Sequence, residues 1–326
     1  MAYKFPTLDF PDEFADFLEE PEAAASSAFT LGGIGSTNIN LLGMGGERYS
    51  LRLDRVKAET VKSRYTRKFH KMCAKETLLA DISACTDYVQ LEALCKKYGI
   101  CDYADLSEIN IFGSKLLLKV IVETLYKYPR LRSKMCFVGT HSGYKRSMQG
   151  LIAGDREVLK RFGLHHILTE EDARAIATLT MGIVDSMGDE ELYIATAISA
   201  YGFFDALLMD EHDFDKQAFI KVNAHLRNDE VNGFHPKGCG NTTATVYHEV
   251  GHLLDYLLGV SGNAMFMSRY SSLSADVIKR EVSTYATVSP QEFVAEAFAE
   301  YMCNPVPRPL AMWVGELIDR CYKSLK

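Results

Sequence analysis

The sequence predicts an α+β fold, with a mostly helical N-terminal half and a small mixed sheet further along the chain. From about residue 50 to 185, apolar residues recur at three- and four-residue intervals between charged residues, as in segments 68–85 and 114–135. That interval is typical of amphipathic helices. After residue 190 the pattern changes to short apolar runs, 192–200 and 202–209, which have the length of buried strands.

A further strand is predicted where apolar and polar residues alternate. Over residues 217–226, Ile220 and Val222 belong to one face of an extended chain, and Asn223 belongs to the other. We expect this segment, centred on 218–225, to be an edge strand packed on the helix that follows it. An extended peptide could pair with such an edge, so these three residues are the candidate substrate-binding residues.

The ends of several helices are marked by capping residues and prolines. Pro129 is expected to end or kink the helix of segment 114–135. A helix near residue 242 has Thr242 or Thr243 as its candidate N-cap and Gly259 at its C-terminal end. The last informative helix begins at Ser289-Pro290, a capping serine followed by proline at the first helical position.

The N-terminal segment is expected to be an arm that precedes two domains. Residues 1–46 are rich in glycine and other small residues and show no helical or strand period. The glycines are not followed by Gly-Lys-Ser/Thr, so a flexible or partner-docking segment is favoured over a phosphate-binding loop. The predicted organisation is an arm over 1–50, a helical domain over 51–185 and a third domain over 186–326.

Composition excludes several classes of protein. The 326 residues are 47% hydrophobic and 24% charged, which is ordinary for a globular protein. A formal charge of −7 disfavours sequence-independent binding to nucleic acid. The acidic N-terminus and the lack of a long apolar run predict a soluble protein that neither enters a membrane nor is secreted. The eight cysteines include no CxxC pair, so we expect buried thiols rather than a zinc ribbon.

One segment carries a metal-site motif. Residues 248–252 read HEVGH, so on a helix His248 and His252 lie one turn apart on nearly the same face. Two imidazoles so placed can bind one zinc ion, while Glu249 is rotated to the side and is free to exchange protons with a water molecule. The alternative interpretation is a helix whose two histidines merely stack and whose glutamate is solvated.

A catalytic zinc needs a third protein ligand, and three glutamates downstream are candidates. Glu292, Glu296 and Glu300 repeat every four residues along one helix face, among apolar residues. Glu292 could instead serve as a capping carboxylate. Because unpaired buried acids are costly, we expect Glu292 to be a ligand and Glu296 to accept a hydrogen bond from a ligand histidine. Glu300 is expected to be exposed or structural.

These motifs resemble the gluzincin metallopeptidases related to anthrax lethal factor and the Pro-Pro endopeptidases. The resemblance includes HEVGHLLDY, EFVAEAF and a tyrosine, Tyr285, seven residues before Glu292. It implies that residues 186–326 form a zincin-like catalytic domain. The implied roles are zinc ligation by His248, His252 and Glu292, a general base at Glu249, oxyanion hydrogen bonding by Tyr285, and support from outside the coordination sphere by Glu296 and Asp255.

A second similarity covers roughly residues 75–326. The chain resembles a metallopeptidase domain that is often fused behind the head-morphogenesis (MuF-like) domain of tailed phages of gut bacteria. This resemblance implies a phage or mobile-element protein in the cytoplasm of a bacterial host cell, or associated with the virion. Phage head or portal proteins are then the expected partners of the N-terminal arm.

The expected function is therefore zinc-dependent endopeptidase activity on a peptide or protein substrate. Glu249 would deprotonate the attacking water, and zinc and Tyr285 would stabilise the oxyanion. His225, His235 and Cys239 lie near the motif but are expected to be loop or packing residues rather than a fourth ligand. The alternative is a non-enzymatic phage structural or head-associated protein that retains a zinc-binding fold, which would have no need of Glu249.

Overall fold

The protein has the α+β architecture that the sequence predicts. The computed structural model describes residues 29–31, 36–42, 48–186, 195–210 and 216–325. Within these ranges the N-terminal half is mostly helical, and the strands form one three-stranded and one four-stranded sheet. No helix in the described ranges is long and apolar enough to cross a membrane.

The elements follow one another along the chain with short connections. The strands are β1 Phe29–Leu31, β2 Ser36–Leu42, β3 Arg48–Asp54, β4 Tyr103–Asp105, β5 Phe137–Thr140, β6 Ala195–Ile198 and β7 Ala206–Met209. The helices are α1 Arg55–Tyr65, α2 Lys75–Ala84, α3 Tyr88–Tyr98, α4 Ile111–Lys127, α5 His141–Ala153, α6 Arg156–Arg161, α7 Glu170–Ser186, α8 Lys216–Val231, α9 Thr242–Leu258, α10 Ala264–Ser272, α11 Ala275–Glu281, α12 Pro290–Cys303 and α13 Pro309–Ser324. Short 3₁₀ helices span Pro129–Lys134 and Tyr285–Thr287.

The four-stranded sheet lies between two helical layers. Its strand order is β4-β5-β7-β6; β4, β5 and β7 run parallel, and β6 pairs antiparallel with β7 and forms an edge. The predicted strands within 192–200 and 202–209 are thus confirmed over β6 and β7, while residues 192–194 lie outside the described ranges. The adjacent residues Phe137 and Val138 belong to different hydrophobic clusters, so both faces of β5 are covered.

The predicted domain boundary near residue 185 runs through shared structure. Strands β4 and β5 precede it, β6 and β7 follow it, and all four form one sheet. One hydrophobic cluster also joins Leu117 of α4 to Val250 of α9 and Phe293 of α12. The segments 51–185 and 186–326 therefore share a core.

Part of the predicted arm forms a sheet. Strands β1, β2 and β3 pair antiparallel in sequence order, with Leu51 and Leu53 of β3 buried. The expectation that residues 1–46 lack strand structure is therefore wrong for β1 and β2, which gain their hydrogen bonds by pairing in this sheet. The remaining arm residues, 1–28, 32–35 and 43–46, lie outside the described ranges.

The predicted edge strand at 218–225 is wrong, because these residues lie in helix α8. Along α8, Phe219, Val222, Asn223 and Leu226 are partly or fully buried and recur at helical spacing, whereas Ile220 is exposed. An alternating pattern places apolar residues at both two- and four-residue intervals, so it also fits one side of a helix. The edge strand that does pack against α9 is β6.

Helices α9 and α12 pack closely enough for their backbones to touch. A Cβ atom added at Gly251 of α9 would lie 2.9 Å from the Cα of Ala295 on α12. Asn241 caps α9, with its side chain accepting a hydrogen bond from Ala244 N, instead of the predicted Thr242 or Thr243. Gly259 ends α9 in the left-handed conformation, as predicted, with φ of 65°.

Candidate metal centre

Helices α9 and α12 bring together the two histidines and the glutamate predicted as ligands. His248 Nε2 lies 3.1 Å from His252 Nε2, and Glu292 Oε2 lies 3.1 Å from the first and 3.4 Å from the second. Among the described residues, these three form the one group of His, Cys, Asp or Glu side chains close enough to hold a metal ion.

The spacing of these three atoms fits a tetrahedral zinc ion. With zinc–ligand bonds of about 2.0–2.2 Å, tetrahedral geometry separates neighbouring ligand atoms by about 3.3–3.5 Å. The observed separations of 3.1–3.4 Å are close to this value. The donor set, two imidazoles and a carboxylate, is one that catalytic zinc accepts with a position left for water.

Electrostatics also favour a cation at this point. Burial alone would lower the pKa of His248, but the carboxylates of Glu292 and Glu296 outweigh burial and raise that pKa. Burial would raise the pKa of Glu292, yet hydrogen bonds from His248 and His252 lower it. The cluster therefore attracts positive charge, which a proton supplies in the metal-free protein and a metal ion can replace.

Glu296 lies behind His248 and interacts with the imidazole nitrogen that faces away from the ligand cluster. Its Oε1 is 2.8 Å from His248 Nδ1, and its Oε2 accepts a hydrogen bond of 2.7 Å from the Ser283 hydroxyl. Although burial opposes ionisation, hydrogen bonds from His235 and His248 lower the pKa of Glu296 to about 2. A carboxylate that accepts from Nδ1–H leaves Nε2 free to bind a metal, so Glu296 occupies the supporting position expected for it.

Glu249 is buried beside the ligand cluster and is oriented by the sheet. Its Oε2 accepts a hydrogen bond of 2.7 Å from the backbone N–H of Ala197 on the edge strand β6. Burial raises the pKa of Glu249, although the two nearby histidines oppose the shift. The solvated-glutamate alternative for the motif is therefore not what the structure shows.

Tyr285 borders the site on a separate element, the 3₁₀ helix Tyr285–Thr287. Its ring centroid is 5.9 Å from that of His248. The Glu292 side chain does not cap α12, as the alternative interpretation would have it. Its carboxylate faces the histidines, and Ser289 caps the helix by accepting a hydrogen bond from Glu292 N.

The other predicted site residues have structural contacts. Asp255 accepts a hydrogen bond of 2.7 Å from Ser261 N and thereby stabilises the turn after α9; burial raises its pKa. Asp255 also interacts electrostatically with His252, and its predicted role of supporting a ligand histidine stays a prediction. Glu300, expected to be exposed or structural, is completely buried and pairs with Arg308.

The three predicted substrate-binding residues cannot act as strand residues, because they lie on α8. Asn223 uses its amide within the scaffold: Oδ1 accepts from Thr242 N at 3.1 Å, and Nδ2 donates to Phe219 O at 2.7 Å. Ile220 is 69% exposed, and Val222 is partly buried on the same helix. The backbone groups of an α-helix are already paired within it, so this segment offers no edge to an extended peptide.

Sequence reasoning missed two side chains and one backbone group of the site. Ser283 and His235 contact Glu296, and Ala197 N–H contacts Glu249. The sequence predicts His235 to be a loop or packing residue, and it does lie in the loop before α9. The sequence places His235 in a loop before the motif, but it does not show which group the imidazole contacts.

Comparison of the chain with protein-family models, with curated proteins and with solved structures finds no match. The resemblances to gluzincins and to the phage metallopeptidase domain therefore rest on the sequence motifs. The class that the fold and the site define is an α+β protein with a candidate metal centre built by two packed helices.

Proposed function

We propose that the protein is a zinc-dependent endopeptidase. The observation that carries the proposal is the placement of Glu249, a buried carboxylate beside the ligand cluster that is not a member of it. A structural zinc site needs no such carboxylate, whereas hydrolysis of a peptide bond needs a base for the attacking water and an acid for the leaving amine.

The residues of the chain have distinct roles in this reaction. His248, His252 and Glu292 would hold zinc, which when bound polarises a carbonyl group and lowers the pKa of water. Glu249, oriented by Ala197 N–H, takes a proton from the attacking water and passes it to the departing amine. The hydroxyl of Tyr285 donates a hydrogen bond to the oxyanion.

The substrate is a peptide or protein that binds in an extended conformation. With residues 218–225 in a helix, strand β6 takes their place as the candidate edge for pairing with the substrate backbone. Strand β6 forms an edge of the sheet, and its residue Ala197 contacts Glu249. Pairing there would bring the scissile bond close to Glu249.

The biological setting is a separate part of the proposal. A phage or mobile-element origin, the cytoplasm of a bacterial host cell or the virion as location, and head or portal proteins as partners of the N-terminal segment rest on the sequence resemblance alone.

The test compares wild-type protein with Glu249→Gln. We expect both to bind about one zinc per chain, and we expect the variant to lose peptide-library cleavage by at least about 10²-fold, the usual contribution of a general base. Glu316→Gln, an exposed substitution of the same chemistry on α13, is the matched control and should cleave like wild type.

Two outcomes would contradict the proposal. Equal cleavage by wild type and Glu249→Gln would remove the base from the mechanism. Stoichiometric zinc without any cleavage by the wild-type protein would favour the non-enzymatic alternative.

A further inference from the structure

The loop that joins α8 to α9, residues 232–241, is hydrogen-bonded to the segment that carries Tyr285. The carbonyl of Gly233 accepts from Thr284 N at 2.8 Å, and the carbonyl of Phe234 accepts from Tyr285 N at 3.1 Å. The loop backbone therefore fixes where Tyr285 begins its 3₁₀ helix.

The other end of the same loop is held by a carboxylate of α8. Glu230 accepts hydrogen bonds from Gly238 N at 2.7 Å and from Gly240 N at 2.8 Å through its two oxygens. His235 lies between these two attachments, so its backbone is restrained on both sides.

The His235 side chain reaches Glu296 from this loop. Its Nδ1 is 3.3 Å from Glu296 Oε1, the same oxygen that lies 2.8 Å from His248 Nδ1. An ionised carboxylate can only accept hydrogen bonds, so both Nδ1 atoms carry hydrogen when these contacts form. The second oxygen of Glu296 is occupied by the Ser283 hydroxyl. Glu296 is therefore contacted by three side chains from three different segments.

The same imidazole also borders Tyr285. The ring centroids of His235 and Tyr285 are 6.1 Å apart in an edge-on arrangement, and Phe234 lies 5.5 Å from Tyr285 on the same loop. The His235 side chain is 22% exposed, so most of it is covered by neighbouring residues.

We propose that His235 is a positioning residue of the metal centre. By donating to Glu296, it holds that carboxylate where it fixes the Nδ1-protonated tautomer of His248, and its ring supports Tyr285. The part that concerns Tyr285 rests on the proposed peptidase function. The part that concerns His248 depends only on metal binding.

The test uses two substitutions at one position and a histidine control. His235→Leu removes the donor, while His235→Asn keeps an N–H donor close to the position of Nδ1. His225→Leu removes a histidine that is 73% exposed on α8 and serves as the control. The readouts are the rate of Zn²⁺ loss to a chelator, the visible absorption spectrum of the Co²⁺-substituted protein, and kcat and KM for a cleaved peptide.

We expect His235→Leu to lose Zn²⁺ about tenfold faster than wild type, at the lower end of the effect of groups that orient a ligand. Its Co²⁺ spectrum should shift, and kcat should fall with KM little changed. His235→Asn should recover most of each effect, and the control should show none. Recovery by asparagine distinguishes a lost hydrogen bond from a general loss of packing.

The proposal is overturned if His235→Leu keeps the wild-type rate of Zn²⁺ loss and the wild-type Co²⁺ spectrum, or if His235→Asn behaves like His235→Leu. Should His235→Leu fail to fold, ¹⁵N NMR of the zinc-loaded wild type decides, because His235 and His248 must both carry hydrogen on Nδ1. If the wild type cleaves no peptide, the metal and NMR readouts still test His235, so the two proposals can fail separately.

Discussion

Adding a single methyl group at Gly251 would test how closely the metal centre depends on the packing of α9 against α12. The new Cβ would lie 2.9 Å from Ala295 Cα and 3.3 Å from Ala295 O. Carbon atoms in contact prefer about 3.5–4.0 Å, so the two backbones must separate by roughly 0.5 Å or more. Because the histidine ligands are on α9 and Glu292 is on α12, this separation acts directly on the ligand spacing.

Two opposing effects determine the stability of Gly251→Ala. Overpacking costs about 1–3 kcal/mol, whereas alanine in a helix interior is favoured over glycine by about 1 kcal/mol. The substitution should therefore change the free energy of unfolding by between about 0 and 2 kcal/mol in the destabilising direction. Metal-site geometry tolerates only about 0.2 Å, so zinc affinity should fall by roughly tenfold or more while the fold survives.

The matched control is Gly182→Ala in α7, where an added Cβ would meet no atom within 4 Å. It should gain up to about 1 kcal/mol from helix propensity alone and leave zinc binding unchanged. Urea unfolding of the metal-free proteins and competition for zinc with a chelator measure the two effects. If Gly251→Ala were stabilised like the control and bound zinc like wild type, the inferred backbone contact would be refuted.

Other substitutions separate the roles of the remaining buried acids. Glu292→Ala should abolish stoichiometric zinc binding. Glu296→Ala should weaken zinc binding by roughly 10–100-fold, because Glu296 contacts a ligand and not the metal. Metal analysis compares the zinc content of the two variants, and the reverse order would exchange the roles of the two glutamates. Glu300→Ala should keep zinc but lower the free energy of unfolding by about 3–5 kcal/mol. The substitution removes the carboxylate that lies 2.7 Å from the Arg308 guanidinium and leaves that charge without its ion-pair partner. Urea unfolding that matches wild type would contradict this. Burial would raise the pKa of Asp102, but three arginines lower it to about 2. The ionised Asp102 therefore stabilises the fold fully above the ordinary pKa of a carboxyl group. This contribution is lost as the pH falls toward 2. Unfolding measured between about pH 4 and pH 2 should show a loss of about 2 kcal/mol that Asp102→Asn lacks, and an equal loss in the variant would refute it.

The ligand cluster was predictable because its members are close in sequence on regular helices. Four residues advance a helix by about one turn, so the relation between His248 and His252 follows from local geometry alone. The same rule relates Glu292 to Glu296. Glutamates that repeat every four residues among apolar residues also indicated that their carboxylates are buried. Buried carboxylates need a hydrogen-bond or ionic partner.

The predicted strand at 218–225 failed for a reason that is also physical. Whether Val222 and Asn223 lie in a strand or a helix depends on what covers them, and α8 packs against the start of α9 through the Asn223–Thr242 hydrogen bond. Local propensity does not contain that contact. The pairing of β1 and β2 similarly depends on another strand, β3, and Gly-rich composition did not reveal it.

Periodicity and spacing within single segments were enough to predict the helical N-terminal half, the strands β6 and β7, and which residues of α9 and α12 are candidates for binding a metal. Three contacts could be seen only in the folded chain: α9 touches α12 at Gly251, Ala197 orients Glu249, and His235 reaches Glu296. Each of these contacts joins segments at least 44 residues apart, as from 251 to 295. Such contacts arise when the core closes, so no local pattern along the chain can specify them.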